Sequence, residues 1–396
     1  MIGAEEARAL VLGHAQRPAP VQLSAQLALG LTLAETIVTD RDYPPFDRSI
    51  MDGFAVRVAH AGRSIVIGGE ARPGRMLAPE VTADACVEIM TGAPCPPGTE
   101  AVVMKEDVRR DGPTAMFPAS IARGQNIMPR GAESSRDAVI LPEGAVLTPV
   151  ALGLLAAVGR SDVRVHRTPR LALLVTGDEV VADGTPPLPA EIRDSNGPML
   201  SAMARSLGVS HLTATGVRDT RECLATALDE ASGADVVVLT GGVSAGNYDL
   251  VPAALLAHGA KLVFHKVRQQ PGKPILFATK GSQLFFGLPG TPLGCHLGFH
   301  RYVGAAVRAL AGWPQPVDKQ GRLAQAWSTT SVRQQFVFAE VVATHDGSHE
   351  VTPLRLKGSS DLFTPWNANA YMNVAEGMRT LSAGDIVRFD WLLGAR

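Results

Sequence analysis

Cysteine is scarce in this chain of 396 residues: Cys86, Cys95, Cys223 and Cys295 are all it has. They form no Cys-x-x-Cys pair and no metal-ligand spacing, which argues against a disulfide framework and suits a reducing compartment. An excess of either charge is missing as well. Lys+Arg 37 stands against Asp+Glu 38, so no net field draws the protein to nucleic acid or to an acidic membrane, and any bound anion must be held by local groups. Long apolar runs are absent too. Nothing approaches the ~18 residues of a membrane span, and the N-terminal segment carries Glu5 and Glu6 where a leader would be apolar. The chain is therefore expected to be cytoplasmic, with neither a nucleic-acid nor a membrane partner. No internal repeat and no low-complexity tract stands out.

What is present points to several domains, since the length exceeds what one hydrophobic core usually serves. Ala7, Leu10, Val11 and Ala15 recur at helical spacing over 5–15, and a short helix is expected after Ser24. Pro44 and Pro45 then break regularity. From 64 to 127 the apolar runs are short and bounded by Gly and Pro, as in 64–67, 86–90 and 101–104, which predicts a small β-rich domain. Thr148, Pro149 and Gly159 supply a cap, a first-turn proline and a terminal glycine for a helix over 150–158. Beyond 168 strand and helix alternate. Residues 171–175, 213–217, 235–239, 262–267 and 284–286 read as strands, and 199–207, 221–231, 251–257 and 293–310 as helices. That alternation predicts a doubly wound, mainly parallel α/β sheet. Strand patterns with polar turns return after Pro314, giving a small C-terminal β domain. The expected division is 1–45 with 128–167 as a linking domain, 46–127 inserted, 168–312 the α/β domain and 313–396 a barrel-like β domain.

In a doubly wound sheet, ligands bind beyond the carboxyl ends of the strands, where backbone N–H groups meet anions. Three glycine loops fall there: Thr176-Gly177-Asp178-Glu179, the loop Thr240, Gly241, Gly242, Val243, Ser244, Ala245, Gly246, and Gly287-Leu288-Pro289-Gly290-Thr291-Pro292. One such loop is usually a plain turn; three in one sheet suggest a phosphorylated ligand. Glu179 and Asp249 lie in or just after these loops. Either they share a Mg²⁺ ion with ligand phosphates, or Asp249 caps a helix and Glu179 is solvated. Lys266 and Lys273, the latter in Pro271-Gly272-Lys273-Pro274, are candidates to meet oxyanions. His296 and His300 are spaced i, i+4, yet Leu297-Gly298-Phe299 between them lacks the Glu of a zinc protease motif.

Six strings occur in one order: Pro44-Pro-Phe-Asp-Arg-Ser-Ile-Met-Asp-Gly-Phe-Ala55, Met90-Thr-Gly-Ala-Pro94, Thr176-Gly-Asp-Glu179, Thr240-Gly-Gly-Val-Ser-Ala-Gly-Asn-Tyr-Asp249, Pro271-Gly-Lys-Pro274 and Gly287-Leu-Pro-Gly290. The ordered set, spanning nearly the whole chain, resembles the molybdopterin molybdenumtransferase family, which inserts molybdate to complete the molybdenum cofactor and whose α/β domain binds molybdopterin. The resemblance implies a homodimer in which one subunit's α/β domain faces the other's inserted domain. It implies adenylylated molybdopterin and molybdate as substrates, Mg²⁺ as the assisting ion, and AMP as a product. The molybdopterin adenylyltransferase and recipient molybdoenzymes are the implied protein partners.

Carried over by residue, the resemblance makes Asp52 the essential acid, with Glu179, Asp249, Lys266 and Lys273 completing the catalytic set and Glu179 and Asp249 holding the metal. It makes Thr91, Asp194, Asn196, Thr240, Gly241, Gly242, Ser244, Gly246, Pro271, Gly272, Gly290 and Pro292 contacts of the pterin phosphate and adenylate. Arg333 and Ser359 become the molybdate pocket, a guanidinium and a hydroxyl suiting a tetrahedral oxyanion. Five positions depart from the family pattern: Gln270 stands where Lys is common, Thr291 for Asn, Arg48 for Asn, and Ala132-Glu133 for Glu-Asp. They leave molybdate and tungstate both open as the oxyanion. The competing readings are another nucleotide- or pterin-processing enzyme of the same α/β domain, and a non-catalytic dimeric scaffold of the gephyrin type.

Overall fold

The structure is a computed structural model that describes residues 1–75, 78–182, 184, 186–243, 250–378 and 380–394. It divides into two compact units, one of Met1–Gln22, Gly30–Ala34 and Arg164–Arg396, the other of Leu23–Leu29 and Glu35–Val163. The larger unit opens with α1 (Ala4–His14), which has Glu5 and Glu6 in its first turn, where the helix dipole favours acids. Its Ala4, Ala7 and Val11 are buried; Ala7 and Val11 belong to the stripe that the apolar spacing marks, whose Leu10 and Ala15 are half-buried.

The smaller unit carries a six-stranded sheet of β1 (Gly53–Val56), β2 (Ser64–Ala71), β3 (Ala85–Ile89), β4 (Ala101–Met104), β5 (Arg109–Asp111) and β6 (Thr114–Met116), ordered β4-β1-β3-β2-β6-β5. Successive side chains point to opposite faces, and both faces are buried. Phe54, Val56, Ile65, Cys86 and Val103 pack on one side, and Ala55, Ala71, Val87, Ile89 and Val102 on the other. Gly53 is required where β1 meets β4, because a Cβ there would stand 2.0 Å from the Val103 carbonyl oxygen. The helix expected after Thr148 is α2 (Pro149–Ala157), with the Thr148 hydroxyl accepting from the Ala151 N–H at 3.2 Å.

In the larger unit the α/β core is built from β7 (Leu171–Thr176), α3 (Asn196–Ser206), β8 (Leu212–Val217), α4 (Arg221–Glu230), β9 (Val236–Thr240), α5 (Leu250–Ala257), β10 (Lys261–His265), β11 (Leu276–Lys280) and β12 (Gln283–Leu288). A long helical segment follows: α6 (Pro292–Gly298), one π-helical turn over Phe299–Val303, then α7 (Gly304–Ala311). The sheet order is β8-β7-β9-β12-β11-β10. Its alternation decides which layer each residue serves. Leu171, Leu173, Val236, Val238, Leu284 and Phe286 face α1, α3, α6 and α7, whereas Ala172, Leu174, Val237, Leu239 and Phe285 face α4 and α5. Four strands are parallel, as the alternation of elements requires. β11 was not among the strands read from the sequence. It is antiparallel to β12 because only Gly281-Ser282 joins them, too short for a crossover, and β10 is in turn antiparallel to β11.

The C-terminal part closes on itself: β13 (Lys319–Leu323), β14 (Gln334–Ala343), β15 (His349–Pro353), β16 (Ala370–Val374) and β17 (Ile386–Trp391) pair in the order β14-β15-β13-β17-β16, and β16 returns to β14. Gln269–Gln270 adds to β14 in parallel, so the segment leading to Pro271 is tied to the barrel.

One ion pair anchors the lower end of the sheet. Arg167 reaches both oxygens of Asp235 at 2.6 and 2.9 Å, and the Arg170 N–H adds a third bond at 2.6 Å. Burial pushes the Asp235 carboxyl up, but the hydrogen bonds from Arg167 and Arg170 outweigh it and hold its pKa below the ordinary value. A depressed carboxyl stabilises the fold above its unfolded pKa and loses that contribution as pH falls through the folded value. Asp235→Asn is therefore expected to lower stability by about 2 kcal/mol at pH 7, with the difference from wild type shrinking below about pH 4, measured by urea unfolding across pH.

Candidate functional site

The glycine loops converge at the carboxyl ends of β7, β9 and β12. The Thr176 hydroxyl donates to the Thr240 carbonyl at 2.9 Å, and the Gly241 N–H donates to the Leu288 carbonyl at 3.0 Å, so the three loops are laced together. Gly241 and Gly242 both have positive φ, +89° and +59°. A Cβ at Gly241 would stand 2.8 Å from the Thr176 hydroxyl and 2.9 Å from its carbonyl oxygen. Gly241→Ala is expected to cost about 2 kcal/mol and to weaken ligand binding at the loop; thermal melting and ligand titration check both.

Two hollows meet over these loops. A cavity of about 710 Å³ is lined by Gly241 to Val243, Gln270 to Pro274, Pro289 to Thr291, and from the barrel side by Trp327, Thr329, Arg333, Gln335, Gly358 and Ser359. A smaller one of about 110 Å³ lies among Thr176, Gly177, Asp194, Asn196, Asp219, Thr240 and Pro292. They share Glu179, Gly241, Gly242 and Gly290, so one elongated ligand can occupy both. Asn196 bridges to the Gly290 carbonyl at 2.9 Å, and Asp194 accepts from the Gly197 N–H at the start of α3. The Asn196 Oδ1 is buried without a hydrogen-bond partner among the described residues.

Most of the residues expected at the site are therefore together: Glu179, Asp194, Asn196, Thr240, Gly241, Gly242, Pro271, Gly272, Lys273, Gly290, Pro292, Arg333 and Ser359. Lys266 is not on either wall; it follows β10 with φ +74° and its N–H donates to the Ile275 carbonyl. Ser244, Gly246 and Asp249 lie outside the described residues. Trp327, Thr329 and Gln335 were missed by sequence reasoning, since only barrel closure brings them to the cavity. Gln335 donates to Thr329 at 2.8 Å and to Gln270 at 3.4 Å, so the neutral Gln270 sits in an amide network where the family pattern has a cation.

For Mg²⁺, Glu179 is an exposed carboxylate that makes no hydrogen bond or ion pair among the described residues and sits where the two hollows join. A hard oxygen donor of that kind suits an ion that keeps several waters. Among the described residues no cluster of three or more metal-ligating side chains forms. His296 and His300 are otherwise engaged: His296 meets the Tyr371 hydroxyl at 2.7 Å, and burial together with the neighbouring His300 pushes its pKa down to about 3. His300 meets Asp390 at 2.8 Å. A second cavity of about 710 Å³ adjoins His300, Arg301, Arg308 and Asp318 between α7 and the barrel. It contains none of the glycine loops, and it shares no wall with the site.

In the smaller unit, Asp52 is set in a fixed frame. Its Oδ1 accepts from the Thr91 N–H and from the Thr91 hydroxyl, both at 2.7 Å, and Lys105 lies 3.6 Å from Oδ2. The Thr91 bonds, with Lys105 adding, hold the carboxyl below its ordinary pKa, so Asp52 is a carboxylate at neutral pH. Lys105 carried no signal in the sequence. Two departures explain each other: Arg48 pairs with Glu133.

Fold and site together define a multidomain α/β protein whose glycine loops and cationic side chains frame two joined hollows with room for one elongated ligand. Models of three regions match in order: the MoeA N-terminal region (domain I and II) over residues 2–159, a probable molybdopterin binding domain over 172–309, and the MoeA C-terminal region (domain IV) over 320–391. The chain is 32% identical over 409 residues to a molybdopterin molybdenumtransferase of Haemophilus influenzae, covering 100% of both chains. It is 32% identical over 370 residues to one of Bacillus subtilis, covering 90% of this chain and 86% of that one. The molybdopterin biosynthesis MoeA protein of Pyrococcus horikoshii superposes with a TM-score of 0.85 at 27% identity over 100% of both chains. This chain belongs to the molybdopterin molybdenumtransferase (MoeA) family.

Proposed function

We propose that the chain is a molybdopterin molybdenumtransferase that inserts molybdate into adenylylated molybdopterin, cleaving the phosphoanhydride and releasing AMP. The observation that carries this is the pair of joined hollows: one lined by the three glycine loops with Glu179 at the junction, the other offering Lys273, Arg333 and Ser359 to an oxyanion. The glycine loops let backbone approach the phosphates, and Asp194 and Asn196 fix the start of α3 beside them. Glu179, with Asp249, would hold Mg²⁺, which supplies charge neutralisation at the phosphoanhydride. Lys273, Arg333 and Ser359 orient molybdate, so that the protein's main contribution is to bring two anions together. Asp52, as a carboxylate, accepts a proton during the reaction, and Thr91 keeps its lone pairs directed.

The same reading takes the protein as a cytoplasmic homodimer in which Asp52 and Thr91 of one protomer serve the α/β domain of its partner. It divides the chain at 46, 128, 168 and 313. It places an adenylyltransferase before the enzyme and recipient molybdoenzymes after it. Purified protein given Mg²⁺, adenylylated molybdopterin and molybdate is expected to release AMP and yield cofactor that reconstitutes an apo-molybdoenzyme. AMP release with tungstate but not molybdate would shift the reading to a tungstate-inserting relative, and no release with either would end it. Among the described residues no helix is long and apolar enough to cross a membrane.

A further inference from the structure

The opposite end of the α/β sheet, at the amino ends of its parallel strands, carries a second arrangement of reactive groups. Lys280 ends β11, His258 follows α5, and Asp229 lies in the last turn of α4. The Lys280 Nζ is 3.1 Å from His258 Nε2, and His258 Nδ1 is 3.3 Å from an Asp229 carboxylate oxygen. An ammonium only donates, so Nε2 is the acceptor and the imidazole proton sits on Nδ1, facing Asp229. The imidazole is held from every side. The side chain is 8% exposed and the ring meets Phe285 edge-on at 6.0 Å, while the backbone N–H of His258 donates to the Ala254 carbonyl at 2.8 Å and fixes the residue at the end of α5. Lys280 itself is exposed, and its stem passes over Gly259, where an added Cβ would lie 3.8 Å from Lys280 Cε.

A nucleophile in hydrogen-bond reach of a base, with the base oriented by a third group, is the arrangement that activates side chains for covalent chemistry. The geometry points to Lys280 as a site of covalent acylation by small activated acyl donors. Lys280 first passes one proton through His258 Nε2 to water, which returns the imidazole to its neutral form, and the free amine then attacks the donor's carbonyl carbon and forms the C–N bond. The tetrahedral adduct then gives its ammonium proton to His258 Nε2, and Asp229 stabilises the resulting imidazolium, as does the carboxyl end of α5. The carbonyl re-forms as the bond to phosphate or thiolate breaks, and the leaving group departs with the electron pair and takes up the proton. Lys280 is thereby left as a neutral amide. Nothing in this sequence touches the glycine loops, so it stands apart from molybdate insertion.

The test is site-resolved mass spectrometry of the full chain incubated with acetyl phosphate in one arm and acetyl coenzyme A in the other. Exposed Lys261, Lys319 and Lys357 serve as internal references. Lys280 is expected to acetylate on the order of tenfold faster than these references. His258→Gln, which keeps the bulk but cannot take the proton, is expected to bring it to the reference rate. Added imidazole should restore the ratio in His258→Ala. Asp229→Asn is expected to lower the ratio severalfold and Asp229→Glu to recover it. A fast reaction in one arm alone identifies the donor as acyl phosphate or thioester. A Lys280 rate equal to the references in both arms, or one unchanged by His258→Gln, overturns the proposal.

Discussion

Asp52→Asn is expected to lower AMP release by about 10³-fold while leaving the melting temperature and the affinity for adenylylated molybdopterin close to wild type. The argument rests on how the carboxylate is held. Both Thr91 bonds go to Oδ1, and an asparagine placed with its carbonyl oxygen there still accepts them, so the turn and Gly53 behind it keep their geometry. What disappears is the charge and the capacity to accept a proton at Oδ2, the oxygen that faces Lys105 at 3.6 Å. Because the Thr91 bonds lower the Asp52 pKa, its protonation limb falls below the ordinary carboxylate range, and the wild-type rate should show no Asp52 limb between pH 5 and 8. The homodimer reading adds a second readout. Mixed with Glu179→Gln protein, the Asp52→Asn variant forms some dimers with one intact composite site, and random exchange should recover about a quarter of wild-type activity. Activity within threefold of wild type in the single variant would remove Asp52 from the reaction, and no recovery on mixing would place both residues in one protomer's site.

The sequence made the α/β core legible because a sheet buried on both faces needs apolar residues at every strand position. Leu171 to Val175 and Val236 to Leu239 therefore stand out as unbroken runs between helical patterns. It also placed α2, since a cap, a proline and a glycine each act locally, on their own stretch of backbone. The cavity wall formed by Trp327, Thr329 and Gln335 was not legible in the same way. Those residues reach the glycine loops only because β16 pairs back to β14 and Gln269–Gln270 joins the barrel edge, and such pairings between distant segments leave no local mark. β11 was missed for a related reason: a strand after Pro274 with a two-residue turn reads as a loop until its neighbour is known. The Arg48 and Glu133 departures are a further case. Apart they look like losses from a pattern, and only the folded chain shows them as one ion pair.

Arg333→Ala is expected to raise the molybdate concentration for half-maximal AMP release by 10- to 100-fold, about 2 kcal/mol, with little change in the rate at saturation. The guanidinium is aimed before the oxyanion arrives. Its Nη1 donates to the Gln269 carbonyl at 3.2 Å, and Gln269 is itself fixed: fully buried, donating to the Pro271 and Gly272 carbonyls and accepting from the Tyr302 hydroxyl. The bond to Gln269 uses one donor of five, leaving the others for the cavity. Arg333→Lys keeps the charge but loses the planar fork and this preset direction, so an intermediate effect of about tenfold is expected. Gln270 makes the test sharper. Gln335 donates to Gln270 from inside the same cavity wall, so the neighbouring position contributes amide dipoles rather than a charge and leaves Arg333 and Lys273 as the cations lining the larger hollow among the described residues. Gln270→Lys should then lower the half-saturating molybdate concentration and steepen its dependence on salt, because a third cation adds attraction that ions screen. If Arg333→Ala leaves half-saturation unchanged while Lys273→Ala raises it, molybdate is held on the loop side of the cavity and the barrel serves only to close it.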